Sequence, residues 1–528
     1  MKASDLLVRC LEREGVEHVF GVPGEETEDL LFSLRDSAVR FVPVRHEQGA
    51  AFMANVYGRL TGEAGVCLGT LGPGATNLVT GVADANLDKA PLVAITGQGG
   101  LERLHKESHQ ALDVVQMFEP ITKWNTQLTD PDIVTESVRK AFKVAELEKP
   151  GATHLEFPED VAGTETDGTP MAARERVQYA APDAELVGRV YDHLDAAERP
   201  LIIAGNGAVR TGAASRLREF VETTGIPVAS TYMGKGAVSD RSPQSLLTLD
   251  SGDHQEASDA IESADLVLTV GYDIAEHDPA DWNSGTDTVV VHLDSEPAEV
   301  YEAYNPNLEL VCSLSTALER LTERLEDSDT QFDETWYGEL RDHILADVSA
   351  DPSADEPFTV RGVLPVLREV MAAEDVLLSD VGSHKMRIAQ NFPAYEPNTC
   401  IISNGLASMG ISVPGGVAAD LATDAEVVAA TGDGGFLMNA AEIETATRVG
   451  CGFTVLLFTD DDYGLISEKQ YAHRGESFGT GLTNPDFVEF AESFGIEGHR
   501  PTEWDELEGT LREALSSDGM SLVEIPIA

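Results

Sequence analysis

Two short acidic turns carry the residues of this chain best suited to chemistry. In VVAATGDGGFLMNAAEIETATRVGCGFTVLLFTDDDYGLI, residues 427–466, an apolar run ends in Gly432-Asp433-Gly434-Gly435. A helix-like stretch follows, and a second apolar run, residues 453–459, ends in Asp460-Asp461-Asp462. Strand, turn, helix and strand make a βαβ unit. That unit puts both acidic turns at the carboxyl ends of neighbouring parallel strands, the edge where open α/β sheets bind ligands. Asp433 and Asp460, 27 residues apart, can bring two hard oxygen ligands to one cation. Gly434 and Gly435 open a helix whose backbone N–H groups can face a phosphate. Mg²⁺ suits this arrangement of carboxylates plus the oxygens of a bound diphosphate. The GDG turn alone would favour an ordinary βαβ unit with Gly and Asp in its turns; the second acidic turn at this distance favours a cofactor site instead.

Three α/β segments would position such residues. The third, from about residue 358 to 528, holds both turns and ends in the strand-like SLVEIPI. The first, from about residue 4 to 157, has strand-like runs at 18–22, 41–45, 65–71 and 91–96 between helical patterns. A Gly/Thr/Pro/Asp stretch, 163–182, reads as a linker. The second segment, 183–325, offers PLIIAGNGAV, IPVAST, ADLVLTVG and DTVVVHLD as strands. Its AGNGAV turn could serve a dinucleotide, although glycine after a strand is usually turn chemistry. The acidic stretch 326–357, helical around 336–346, reads as a long connection.

Composition narrows the class. The 528 residues suffice for about three domains, and 42 % of them are apolar. The opening MKASDLLVRCLEREGVEHVF reads as an amphipathic helix and a strand, without a secretory apolar region. No apolar run approaches the ~18 residues of a membrane span, so no membrane partner and a cytoplasmic location are expected. Cys10, Cys67, Cys312, Cys400 and Cys451 form no CxxC pair, which fits a reduced compartment without a zinc cluster. The formal net charge is −56, from 92 acidic and 36 basic residues, and no basic stripe exists for nucleic acid. The acidity is spread along folded-looking segments. It reads as solvated surface suited to high salt, and hence to a halophilic host.

FVPVRHEQGAAFMANVYGRLTG, residues 41–62, places Glu47 after a strand and at the start of an apolar helix. A carboxylate there commonly caps the helix dipole. The whole string, however, resembles the segment of thiamine-diphosphate-dependent enzymes whose glutamate hydrogen-bonds the aminopyrimidine ring. VFGV followed by PGEETEDL resembles the FGxPG opening of that family. TLGPGATNLVTGVADANLDKAPLVAITG resembles its GPG loop and following strand. The GDGG turn with its second acidic turn resembles the family's diphosphate-binding motif.

The resemblance implies an α/β fold of three doubly wound parallel-sheet domains. These would be a pyrimidine-binding domain over 1–165, a central Rossmann-like domain over 183–325, and a diphosphate-binding domain over 355–528. It implies thiamine diphosphate and Mg²⁺ as cofactors, the metal held by Asp433, Asp460 and the backbone carbonyl of Asp462. Gly434, Gly435, Ser383 and His384 would line the phosphate pocket, with Gly432 and Gly382 beside them. Pro23, Ala407, Tyr463, Gly464 and Leu465 would be further cofactor contacts. Met409 would sit under the cofactor and enforce its bent shape, although most methionines are core filler. Glu47 would share a proton with the aminopyrimidine. Gly72, Gly74, Gln110 and His109 would lie on the substrate side; by residue type alone His109 could equally be a surface histidine. In this family the glutamate and the metal site come from different subunits, which implies a homo-oligomer with its active site at a subunit interface.

Within the family, LHKESHQALDVVQMFEPITKWN (104–125), DVGSHKMRIAQNF and ISNGLASMG look most like the acetolactate synthase branch. The first resembles the THQSLD…F-x-PITKY string of the catabolic, flavin-independent members. VGYDIAEHDPADWN (270–283) resembles their GYDPxEYDPxxWN, where the FAD-dependent members have GARFDDR. The second-substrate arginine of those members would fall near Asp273. The implied reaction decarboxylates pyruvate and joins the remainder to a second pyruvate, giving 2-acetolactate and CO₂, with no bound FAD expected. The alternatives are another thiamine-diphosphate-dependent 2-oxo acid decarboxylase or aldehyde carboligase, and a catalytically silent homologue. Two features depart from the pattern. Asp461 and Asp462 add negative charge beside a diphosphate site, and Glu468 stands where the branch usually has an aromatic or apolar residue.

Overall fold

Apolar runs punctuated by glycine and proline become three six-stranded parallel sheets flanked by helices. A computed structural model describes residues 1–249, 256–283, 288–333, 335–349 and 356–527. The first sheet holds β1 (His18–Gly21), β2 (Arg40–Pro43), β3 (Gly65–Gly69), β4 (Leu92–Gln98), β5 (Trp124–Gln127) and β6 (Ala152–Pro158), in the order β2-β1-β3-β4-β6-β5. The second holds β7 (Pro200–Ala204), β8 (Val228–Ser230), β9 (Ser245–Thr248), β10 (Leu266–Val270), β11 (Val289–Asp294) and β12 (Leu308–Val311), in the order β12-β11-β10-β7-β8-β9. The third holds β13 (Val376–Ser379), β14 (Cys400–Ile402), β15 (Val427–Gly432), β16 (Thr454–Thr459), β17 (Glu497–His499) and β18 (Ser521–Pro526). In it β13 pairs with β14, β15 with β16, and β17 with β18, all parallel.

Interior strands such as β4, β6 and β10 are buried along their whole length, because helices cover both faces of the sheet. By contacts the chain divides into two compact units. One comprises 1–177, 405–500 and 514–524; the other comprises 178–404, 501–513 and 525–528. The linker-like stretch 163–182 contains no helix or strand, and the helix Gly338–Val348 occupies the centre of the acidic connection. Residue 334 and residues 350–355 of that connection lie outside the described residues.

Edge strands β5, β9, β12, β14 and β17 were not among the strand-like runs of the sequence, nor were β6 and β13. β5 (WNTQ) and β17 (EGH) show why: they are short and polar, and they are strands because a neighbour offers hydrogen bonds. All five cysteines are buried and free. Among the described residues, no helix is long and apolar enough to cross a membrane.

Candidate active site

β15 and β16 lie side by side in parallel register, with Gly432 opposite Phe458. Asp433 therefore follows one strand end and Asp460 the adjacent one. The stretch between them is two helices, Asp433–Asn439 and Glu442–Val449, rather than one. Asp433 is 2 % exposed. Its Oδ1 accepts the Gly434 N–H at 2.8 Å, and its Oδ2 accepts the Asp461 N–H at 2.9 Å and the Asn484 side-chain amide at 2.7 Å. Asp460 accepts the Asp462 N–H at 3.1 Å. Desolvation, with the Asp433 and Asp462 charges adding to it, lifts the Asp460 carboxyl above its ordinary range. Gly434 faces the ring of Tyr463, where an added Cβ would approach to 2.7 Å. Gly464 and Leu465 begin the helix Gly464–Arg474, which carries Glu468 on an exposed face.

The negative charge at the second turn is partly answered within the fold. The Asp461 carboxylate accepts the Asn484 amide at 2.8 Å. Hydroxyl donation from Ser467 and Thr480 holds the Asp462 carboxyl below its ordinary value. Among the described residues no three His, Cys, Asp or Glu side chains form a metal cage. Two carboxylates completed by backbone and ligand oxygens is an arrangement Mg²⁺ accepts. A carboxylate has roughly four acceptor positions, and Asp433 spends three on N–H donors, leaving one for a cation.

Glu47 opens the helix Glu47–Thr61 and is 8 % exposed. The side-chain amide of Asn77 donates to its Oε2 at 2.9 Å. Its Oε1 lies 3.4 Å from the place a Cβ would occupy on Gly74. The helix is capped not by Glu47 but by His46, whose Nδ1 accepts the Gln48 N–H at 3.2 Å. The two N–H groups just before the helix go to Glu442, which the sequence reading missed. Glu442 is 1 % exposed, and its Oε1 accepts the N–H groups of Arg45 and His46, each at 3.1 Å. Thr445 donates to its Oε2 at 2.6 Å. Burial raises the Glu442 carboxyl above its ordinary value. A Cβ on Gly49 would come within 2.7 Å of Glu442, which accounts for glycine at that position.

Gln110 and Gly72 come together. Both have positive φ, 55° and 54°, and a Cβ on Gly72 would meet Gln110 Cβ at 2.8 Å. Gln110 and His109 are exposed on their loop, and Pro23 is exposed after β1. Ala407 has φ 55°, and Met409 is half-buried. Their loop is held by Ser408 N–H to Asp84 and by the Asn439 amide to the Gly410 carbonyl. Gly382, Ser383 and His384 follow β13 at the start of the helix Ser383–Asn391. Burial lowers the His384 imidazole to about 4, so it is neutral near pH 7.

The Gly-rich turn after β7 is filled by the protein itself. Asn206 N–H donates to the Glu276 carboxylate at 3.1 Å. A Cβ on Gly205 or Gly207 would strike the Gly271 backbone at 2.4–2.5 Å, so these glycines serve close packing. Burial and the neighbouring Asp273 push the Glu276 carboxyl up to about 8. Asp273 itself pairs with Arg210 at 2.9 Å.

Comparison with known proteins matches this arrangement domain by domain. Residues 1–117 match the N-terminal TPP binding domain of thiamine pyrophosphate enzymes, 187–321 their central domain, and 380–525 their C-terminal TPP binding domain. The chain belongs to the thiamine pyrophosphate enzymes of the acetolactate synthase family. It is 34 % identical to the catabolic acetolactate synthase of Raoultella terrigena, over 99 % of this chain and 94 % of that protein. It is 32 % identical to acetolactate synthase of Bacillus subtilis, over 100 % and 93 %. It is 33 % identical to the acetolactate synthase isozyme 2 large subunit of Escherichia coli, over 100 % and 96 %. Membership in this family makes the chain a thiamine-diphosphate-dependent enzyme.

Proposed function

We propose that this enzyme decarboxylates pyruvate and transfers the remaining two-carbon unit to a second pyruvate, giving 2-acetolactate and CO₂. One observation carries the reading. A chain similar end to end to acetolactate synthases retains both a buried, helix-borne Glu47 and a paired acidic turn at adjacent parallel strand ends. Thiamine diphosphate, when bound, supplies a thiazolium that takes up the negative charge released on decarboxylation.

The protein's own residues divide the remaining work. Asp433, Asp460 and the Asp462 carbonyl hold Mg²⁺. Gly382, Ser383, His384, Gly432, Gly434 and Gly435 are the residues that would contact the diphosphate, and a neutral His384 can donate a hydrogen bond to it. Pro23, Ala407, Met409, Tyr463, Gly464 and Leu465 shape the rest of the cofactor site. Glu47 would exchange a proton with the aminopyrimidine ring of the bound cofactor. Gln110 and His109, with Gly72 and Gly74, orient the 2-oxo acid. On this reading the three family domains span about 1–165, 183–325 and 355–528, and the enzyme works in the cytoplasm as a homodimer or larger homo-oligomer sharing its sites between subunits. The Glu276 carboxylate on the Asn206 N–H supports flavin independence, because it takes the donor a dinucleotide phosphate would need.

A second reading, ligation to an aldehyde or release of one, draws on Glu468, which puts a carboxylate on the helix after the metal turn. Incubation with pyruvate, thiamine diphosphate and Mg²⁺ at high salt separates the two. Acetoin after acid treatment is the expected result; acetaldehyde as the main product would overturn the synthase reading.

A further inference from the structure

Asn484 lies 51 residues beyond Asp433 and belongs to neither acidic turn. The chain nevertheless carries it back to both. Residues 480–482 run antiparallel to the second turn: Tyr463 N–H donates to the Thr480 carbonyl at 3.1 Å, Leu482 N–H donates to the Asp461 carbonyl at 2.7 Å, and Asp462 bridges Gly481. The hydroxyls of Ser467 and Thr480 meet at 2.9 Å and close this ribbon from inside. Its end delivers one amide nitrogen between two carboxylates, 2.7 Å from Asp433 Oδ2 and 2.8 Å from Asp461 Oδ1. Asp461 holds φ at 56°, a left-handed conformation that aspartate adopts more readily than most residues with a Cβ, and its N–H donates to the same Asp433 oxygen at 2.9 Å.

We infer that Asn484 is a positioning residue for the metal site, orienting Asp433 toward the cation and keeping Asp461 turned away from it. The inference rests on the proposed role of Asp433 as a metal ligand. Chemistry supports an amide in this place. Three acidic side chains follow one another at 460–462, and Asp433 sits beside them. A carboxylate free to swing could meet the cation in several poses or face the diphosphate with a like charge. Asn484 offers two N–H donors on one nitrogen and no charge, so it restrains both carboxylates without competing for the metal as an ion. Outer partners of this kind commonly govern about 10- to 100-fold in metal affinity. They also explain how a turn with two extra aspartates can serve a diphosphate site.

The test is Mg²⁺ titration of the full-length protein by calorimetry, at fixed thiamine diphosphate and at high and low salt. Asn484→Ala, Asn484→Asp and Asp433→Asn are compared with wild type, and folding is checked by thermal unfolding without cofactor. The expected result is Mg²⁺ affinity about 10-fold weaker or worse in Asn484→Ala. Asn484→Asp should be weaker still at low salt, and salt should narrow that gap by screening the added charge. Saturating Mg²⁺ should restore most of the turnover of Asn484→Ala, because the lesion is in affinity. Mg²⁺ affinity within twofold of wild type in Asn484→Ala, with Asp433→Asn impaired, would overturn the inference and leave the metal site standing. Equally, a loss of cofactor-free thermal stability without a change in Mg²⁺ affinity would make Asn484 merely structural. Unchanged affinity in Asp433→Asn would remove the reading on which the inference rests.

Discussion

Glu47 and Asp433 are both buried carboxylates, each set just beyond the carboxyl end of a parallel strand, β2 or β15, and their hydrogen bonding differs. Among the described residues Glu47 receives one donor, the Asn77 amide. Asp433 receives three, from Gly434, Asp461 and Asn484. A carboxylate held by three N–H donors stays in place, which suits an anchor for a cation. A carboxyl with a single neutral donor keeps acceptor positions open for a proton or a ring nitrogen, which suits exchange. The fold enforces the contrast. The Gln48 N–H at the start of the Glu47 helix is taken by the His46 ring and the N–H groups just before it by Glu442, so Glu47 is left out of the capping that its position invites.

Breaking the anchor should have the largest effect. Asp433→Ala should abolish Mg²⁺-dependent binding of thiamine diphosphate, read by calorimetry, and turnover with it. Breaking the exchanging partner should be nearly as severe in rate but silent in binding. Glu47→Gln should lower turnover about 10²- to 10⁴-fold while cofactor affinity stays within a few-fold. Equal losses of affinity in both variants would erase the distinction between the two regions.

Breaking the Glu442 contact just before the Glu47 helix gives a smaller effect. Glu442→Ala leaves the Arg45 and His46 N–H groups and the Thr445 hydroxyl without their acceptor, at a cost of about 1–3 kcal/mol in chemical denaturation. Glu442→Gln, which keeps one acceptor oxygen, should recover part of that loss. Wild-type stability in Glu442→Ala would mean that this contact does not support the start of the Glu47 helix.

The sheet beneath Glu47 should also carry an acid sensitivity. His154 on β6 is fully buried, bonds Thr96 and stacks on Phe118, and burial lowers its imidazole to about 3. The unfolded chain takes that proton near pH 6.5, whereas the folded chain refuses it until about pH 3. This contribution is therefore complete above the unfolded value and is lost as pH falls, at up to about 1.4 kcal/mol per pH unit. Denaturation midpoints at pH 7 and pH 5 measure it, and replacing His154 by Gln should flatten the difference.

The two regions were also unequally legible in the sequence. The long apolar runs that become β15 and β16 expose their acidic turns at once, because a fully buried parallel strand must be continuously apolar. Glu47 was located by its helix start, yet the Glu442 contact beside it was invisible, since Glu442 is nearly 400 residues away and looks like any helical acid. Asn484 had no periodicity or spacing to mark it; only the ribbon at 480–482 brings it to Asp433. Its nearest sequence signal was the surplus of aspartates at 460–462, which points to no particular partner. Glu276 was hidden in the same way, a buried acid whose partner is a backbone N–H. Tertiary hydrogen bonds of this sort leave no local pattern, whereas strand burial does.

The comparison is tested most directly by hydrogen–deuterium exchange at the thiazolium C2 of bound thiamine diphosphate, followed by NMR at saturating Mg²⁺ in wild type and Glu47→Gln. Cofactor affinity within a few-fold of wild type and C2 exchange slowed by about 100-fold or more are expected in the variant. Exchange at the wild-type rate in Glu47→Gln would contradict this expectation.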